Sequence, residues 1–104
     1  MPSVPLDEQH PIDMNIGDAV LCEMNDEEYF AELSIELVEG GIKVVLASDL
    51  RSMIVPDDDL YQAVGQLANA HERSGSGLIK AIYEFQKNSN GEWDMVGRFS
   101  YNKA

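Results

Sequence analysis

Few side chains in this sequence could carry nucleophilic catalysis. Such catalysis needs a serine, cysteine or threonine activated by a nearby base, and the chain has no threonine, one cysteine and two histidines. Cys22 falls in or beside the apolar side of a predicted helix, which is typical of a buried structural thiol. His71 lies in the apolar stripe of a second predicted helix, and His10 has no partner at a useful spacing. We therefore predict no catalytic residue. An enzyme with a pocket that holds His71 and Tyr61 or Tyr83 is an alternative that ranks behind two non-enzymatic functions.

Metal and phosphate sites also lack the spacing that their chemistry needs. The only candidate ligand run is Asp57-Asp58-Asp59, but consecutive acids at the start of a helix cap its N–H groups and complement its positive end. The alternating acids of an EF-hand are absent. The segment 74–77 contains two glycines, yet it precedes a strand and lacks the lysine of a nucleotide-binding loop. The sequence predicts neither a metal ion nor a cofactor.

Charge is the strongest clue to a partner. The chain carries 19 acidic and 7 basic residues, a net charge of −12, and residues 1–59 hold fifteen of the acids against Lys43 and Arg51 alone. Direct binding to nucleic acid or to anionic membranes depends on lysine and arginine, so this charge argues against both. No apolar run approaches the ~20 residues of a membrane span, and the N-terminus lacks the features of a signal peptide. A soluble cytoplasmic protein is expected.

The densest acidic run lies between residues 23 and 39. In an alternating strand pattern Glu32 and Glu36 share the polar face, while Asp26, Glu27 and Glu28 stand at the entrance of that strand. We expect these five carboxylates to converge in one patch with no basic residue interleaved. Such a patch steers and orients a basic protein partner, although a solvated face explains the same run equally well.

Two helices and two hairpins must position these residues. Residues 1–12 contain three prolines and predict an irregular arm, followed by a single domain at 13–104. Helical spacing predicts a first helix from Asp13 to about Asn25. Alternation on either side of Gly40-Gly41 then predicts a hairpin that pairs 37 with 44 and 35 with 46. A second helix opens at the aspartate run and ends at Ser74-Gly75.

The second hairpin needs a longer turn than the first. A three-residue loop at Ser89-Asn90-Gly91 pairs 85 with 95 and 81 with 99, which keeps the aromatic residues on one face and sets Tyr83 across from Gly97. Aromatic residues on an inward face are typical of core, although a ligand pocket could share them. The sum is an α+β fold of order α-β-β-α-β-β, with a four-stranded antiparallel sheet made of two hairpins and with helices packed on one face.

Asn25–Tyr29 leads from a helix into a hairpin, and the final hairpin carries the run Gly91–Asn102. In this order of elements, and in the Gly97–Tyr101 ending, the chain resembles the YezG-like bacterial immunity proteins over residues 13–102. The chain departs from that family in placing Trp93 on the second strand of its hairpin rather than before the first. The resemblance implies a non-enzymatic inhibitor that binds a toxin domain, commonly a basic nuclease, and no catalytic residue carries over.

Together these observations predict a non-enzymatic acidic protein-binding module. The leading hypothesis is an immunity protein or inhibitor whose carboxylates occlude the cationic groove of a basic toxin or nuclease. The alternative is a small structural or regulatory protein that acts through homo-oligomerisation, because edge strands of two hairpins can pair between copies. The partner, the strand order and the oligomeric state are left open by the sequence.

Overall fold

Two helices and four strands follow one another in the predicted order. The computed structural model describes residues 4–102, with α1 at Leu6–Cys22, β1 at Phe30–Val38, β2 at Gly41–Ser48, α2 at Asp58–Ser74, β3 at Leu78–Lys87 and β4 at Trp93–Tyr101. Every strand pair is antiparallel, and the order β2-β1-β3-β4 places the first strand of each hairpin at the centre of the sheet. The predicted α+β fold is confirmed.

The core lies between one face of the sheet and the two helices. Alternate residues of β1 and β3 point inward, as the two-residue period of a strand requires; the inward residues with almost no exposed surface are Ala31, Leu33, Ile35, Ala81, Tyr83 and Phe85. The helices contribute a matching stripe at helical spacing that includes Ile16, Val20, Leu60, Val64 and Leu67. The other face of the sheet is open, and no helix among residues 4–102 is both long and apolar enough to span a membrane.

The first hairpin turns one residue earlier than predicted. Val38 pairs with Gly41 and Ile35 with Val44, whereas the prediction paired 35 with 46. The turn is made by residues 39 and 40, because Gly40 has the positive φ, 86°, that this turn needs. Gly41 is instead the first residue of β2. The register therefore moves by two residues, which leaves every side chain on its predicted face.

The second hairpin has the predicted loop and register. The Asn88 N–H donates to the Glu92 carbonyl oxygen at 2.8 Å, and Gly91 has a φ of 83°. Tyr83 pairs with Gly97, where a Cβ atom would lie 3.3 Å from Tyr83 Cε1. The absence of a side chain at Gly97 therefore leaves room for the Tyr83 ring beside β4.

The predicted irregular arm is wrong from Leu6 onward. α1 begins there and contains Pro11, although a proline inside a helix removes one N–H donor and costs roughly 3 kcal/mol. Contacts elsewhere in the fold offset that cost: Ile12 is buried in the core, and Arg73 Nη2 lies 2.7 Å from Glu8 Oε1. Residues 1–3 of the predicted arm lie outside the described residues.

Candidate functional site

The five carboxylates predicted to form one patch are separated by the fold. Asp26 and Glu27 are exposed in the turn before β1, and Glu32 is exposed on the open face of the sheet. Glu36 is half-buried on the same face, and Glu28 has no exposed surface at all. The prediction of an exposed patch is therefore wrong for Glu28.

Glu28 belongs to an internal ion pair. Its carboxylate accepts from Arg51 Nη2 at 2.5 Å and Nε at 3.0 Å, and also from the Asn25 N–H at 2.8 Å and the Ser48 hydroxyl. Arg51 Nη2 donates further to the Glu23 carbonyl oxygen at 2.7 Å. The Arg51 hydrogen bonds are the main reason why the pKa of Glu28 is lowered from 4.5 to about 2. The ion pair of Glu28 with Arg51 links the turn before β1 to the segment after β2.

The open face of the sheet mixes the two signs of charge. Glu36 lies between Lys43 on β2 and Lys80 on β3, its two cross-strand neighbours. Glu84 forms an ion pair with Arg98 on β4. The expectation that no base is interleaved is therefore wrong. Lys43 lies beside Glu36 through the first hairpin itself, whereas Lys80 could not be placed without the strand order.

The structure does build an acidic surface, and it lies between the helices. α1 and α2 run antiparallel: Glu8 near the start of α1 pairs with Arg73 near the end of α2, and Asn15 Nδ2 in the middle of α1 lies 3.2 Å from Gln66 Oε1. The end of α1 therefore meets the start of α2. A groove of about 260 Å³ opens there, and its lining residues are Asn15, Asp18, Ala19, Cys22, Asp57, Asp59, Gln62, Ala63 and Gln66. We call it the acidic groove. No lysine or arginine of the described chain lines it.

Two further observations concern the carboxyl groups where the end of α1 meets the start of α2. Asp57 Oδ1 accepts from the Leu60 N–H at 2.9 Å, which confirms its predicted role as the helix cap. The pKa of the adjoining Glu23 carboxyl is raised, first by burial and then by the neighbouring Asp57 carboxylate, with Arg51 acting in the opposite direction. The Asp57 carboxylate thus adds to the effect of burial in disfavouring the ionisation of Glu23.

Cys22 lies at the rim of the acidic groove and is exposed, so its predicted burial is wrong. The buried stripe of α1 runs through Ile16, Ala19 and Val20. Helical spacing continues that stripe at residues 23 and 24 rather than at 22. Met24 is accordingly half-buried against the core, whereas the thiol faces away from it.

His71 is buried in a chain of hydrogen bonds that joins both helices to the sheet. Its Nδ1 lies 2.7 Å from Ser76 Oγ, and its Nε2 lies 2.9 Å from Gln9 Oε1. Because an amide oxygen only accepts, Nε2 carries the proton and Nδ1 accepts from the serine. Gln9 Nε2 donates to Asp13 Oδ1 at 2.6 Å, and the Tyr83 hydroxyl donates to the same oxygen at 2.7 Å. Burial lowers the pKa of His71, in keeping with this neutral form.

This chain of hydrogen bonds offers no general base to a substrate. A groove of about 610 Å³ reaches His71, but both ring nitrogens are already engaged within the protein. Of the two predicted partners, Tyr83 joins the chain of hydrogen bonds, whereas Tyr61 is half exposed on α2. Tyr83 and Phe99 pack edge to face, and the Lys87 ammonium lies over the Trp93 ring.

Among residues 4–102, no three histidine, cysteine, aspartate or glutamate side chains are grouped so that they could hold a metal ion. No family model matches the chain, and a search of curated proteins finds none that is significantly similar to it. The likeness to the YezG-like immunity proteins therefore stays a prediction.

The acidic groove is the best candidate for a functional site. Sequence reasoning missed it because Asp18 and the aspartate run are far apart in the sequence.

Proposed function

We propose that this protein is a non-enzymatic acidic module that binds a basic protein partner. The observation that carries the proposal is the acidic groove, where Asp18, Asp57 and Asp59 line one opening without a basic residue among the described lining. By contrast, Glu8, Glu28 and Glu84 each form an ion pair with an arginine of the same chain. The three aspartates of the groove therefore form a local concentration of negative charge with no basic side chain among the described lining.

A local concentration of negative charge attracts a basic partner before the two proteins touch. Its field reaches about 8 Å at physiological ionic strength, and complementary charge on a partner raises the rate of association and fixes its orientation. A lysine or arginine side chain of the partner can enter the groove between the helices. The carboxylates then occupy the cationic surface that would otherwise hold phosphate, which is inhibition by occlusion.

The more specific form of the proposal is an immunity-type inhibitor of a basic toxin or nuclease. It draws support from the net charge of −12 and from the resemblance of the element order to the YezG-like proteins. The protein encoded beside this one is the first partner to test, by co-expression of its C-terminal segment. Growth restored by this chain, and lost on charge reversal in the acidic groove, is the expected result.

A matched pair of charge reversals tests the binding function itself. D18K/D59K reverses two carboxylates of the acidic groove, and E92K/D94K reverses two exposed carboxylates on the last hairpin, so both variants gain the same charge. Each is used to capture proteins from a lysate of the native host, with quantitative mass spectrometry at rising salt. We expect D18K/D59K alone to lose basic partners. Equal loss from both variants, or full retention by D18K/D59K, would contradict the proposal.

Homo-oligomerisation is the second candidate, and the strand order favours it in one respect. β4 is an edge strand of nine residues, and Val96 on it is 61% exposed. Unpaired edges are templates for a second chain. Sedimentation at several concentrations separates the candidates: a dimer that V96K abolishes supports the second, whereas a monomer throughout supports the first.

A further inference from the structure

The connector between β2 and α2, residues 49–57, presents large apolar side chains to solvent. Leu50, Met53 and Val55 are 59%, 73% and 80% exposed. Between the last two, Ile54 is 4% exposed and pairs with Leu46 at the edge of the sheet. Alternate residues of an extended segment point the same way, so Met53 and Val55 face solvent together. Single exposed apolar residues are ordinary, but three among six consecutive positions are not.

The connector is also held to the body of the protein by hydrogen bonds. The Ser48 N–H donates to the Arg51 carbonyl oxygen at 2.8 Å, and the Ile54 N–H donates to the Leu46 carbonyl oxygen at 2.8 Å. The buried pair with Glu28 then fixes the Arg51 side chain to the body of the protein. A loop that is ordered before binding loses little conformational entropy on association, so its apolar side chains contribute more of their contact energy to affinity.

Acidic residues frame these apolar side chains. Asp49 precedes them in the chain, and Asp57, Asp58 and Asp59 follow, all of them exposed. The one base of the connector, Arg51, is engaged by Glu28. Interfaces commonly consist of a few large apolar anchors within a polar rim. Here the rim is negative, so charge complementarity requires a positive rim on the partner.

We propose that the connector is the docking element of this protein, and that its partner is a protein surface with an apolar pocket surrounded by lysine or arginine. The proposal rests on the proposed binding function and adds to it the anchors, Met53 and Val55. The acidic groove adjoins the connector through Asp57, which lines one and ends the other. Groove and connector therefore form one contact surface, in which the groove supplies charge and the connector supplies apolar area.

A phage-displayed library of random peptides, selected on the full chain, tests this chemistry directly. We expect enriched peptides to combine basic residues with large apolar ones. Binding to the variant M53S/V55S should fall about tenfold, as for an interface anchor. The matched control is L6S/V96S, which replaces two equally exposed apolar residues elsewhere and should bind like the parent. Circular dichroism confirms that each variant folds, and hydrogen exchange of the parent with bound peptide should show protection at residues 49–57.

The outcomes separate this inference from the function on which it rests. If the basic peptides bind D18K/D59K more weakly than the parent but bind M53S/V55S equally well, the docking role of the connector is overturned. The proposed binding function then stands. Failure to enrich basic peptides overturns both. Self-association through the connector, seen as a concentration-dependent dimer that M53S/V55S abolishes, also overturns the proposal, because the occupant would be a second copy of this chain.

Discussion

Replacing Arg51 with methionine keeps the length of the side chain and removes the partner of a buried carboxylate. The pKa of Glu28 is lowered from 4.5 to about 2, and each tenfold change in acid dissociation corresponds to about 1.4 kcal/mol. The folded surroundings therefore favour the carboxylate by about 3 kcal/mol. Arg51 is 35% exposed, so solvent screens part of this, and we expect R51M to lower the free energy of unfolding by about 2 kcal/mol.

The pH dependence carries the sharper signature. Because the pKa of Glu28 is lower in the folded chain than in the unfolded one, its contribution is fully present above pH 4.5 and is lost as pH falls toward 2. The difference in stability between the parent and R51M should therefore shrink over that interval. Urea denaturation at a series of pH values measures it, and NMR titration of the Glu28 carboxyl measures the pKa itself.

The exposed pair of Arg98 with Glu84 provides the control. R98M removes an arginine of the same kind from the sheet surface, where such pairs contribute about 1 kcal/mol or less. If R51M costs no more than R98M at neutral pH, or if its cost is the same at pH 7 and pH 2, the reasoning about the buried pair is refuted.

Three further predictions concern single positions. G97V should lower the free energy of unfolding by about 1–3 kcal/mol through a clash with Tyr83, whereas G41A, with nothing near its Cβ, should change it little in the same urea assay. Burial lowers the pKa of His71, so the free energy of unfolding should decline as pH falls below about 6.5. If H71Q does not show the decline that the parent shows, the decline is due to His71. D57A should cost about 1 kcal/mol by removing the cap of α2, measured by thermal melting.

The order of elements was predictable because each element carries its own periodicity. The second hairpin was predicted to the residue, since a three-residue loop keeps Phe85, Met95 and Phe99 on one face and a two-residue loop does not. The first hairpin was not, because its alternating residues fit two registers that differ by two positions and preserve the same faces. Local turn geometry at Gly40 decides between them.

The site was less predictable because it depends on contacts between distant segments. Nothing near Glu28 in the sequence indicates that Arg51 will bury it, although Arg51 is one of only two bases before residue 60. The helical state of Pro11 likewise follows from packing elsewhere rather than from its neighbours. Strand order placed Lys80 beside Glu36, and helix pairing assembled the acidic groove.

The strand order β2-β1-β3-β4 also bears on how the chain folds. Each outer strand pairs with a neighbour reached through a tight turn, so both hairpins can form from nearby residues. The central pairing of β1 with β3 joins residues on opposite sides of α2, and it gains its contacts only after a long loop has closed. Contacts of that kind slow folding. We therefore expect the pairing of β1 with β3 to limit the rate of folding. The acidic first half of the chain then meets a nearly neutral second half, which limits their mutual repulsion.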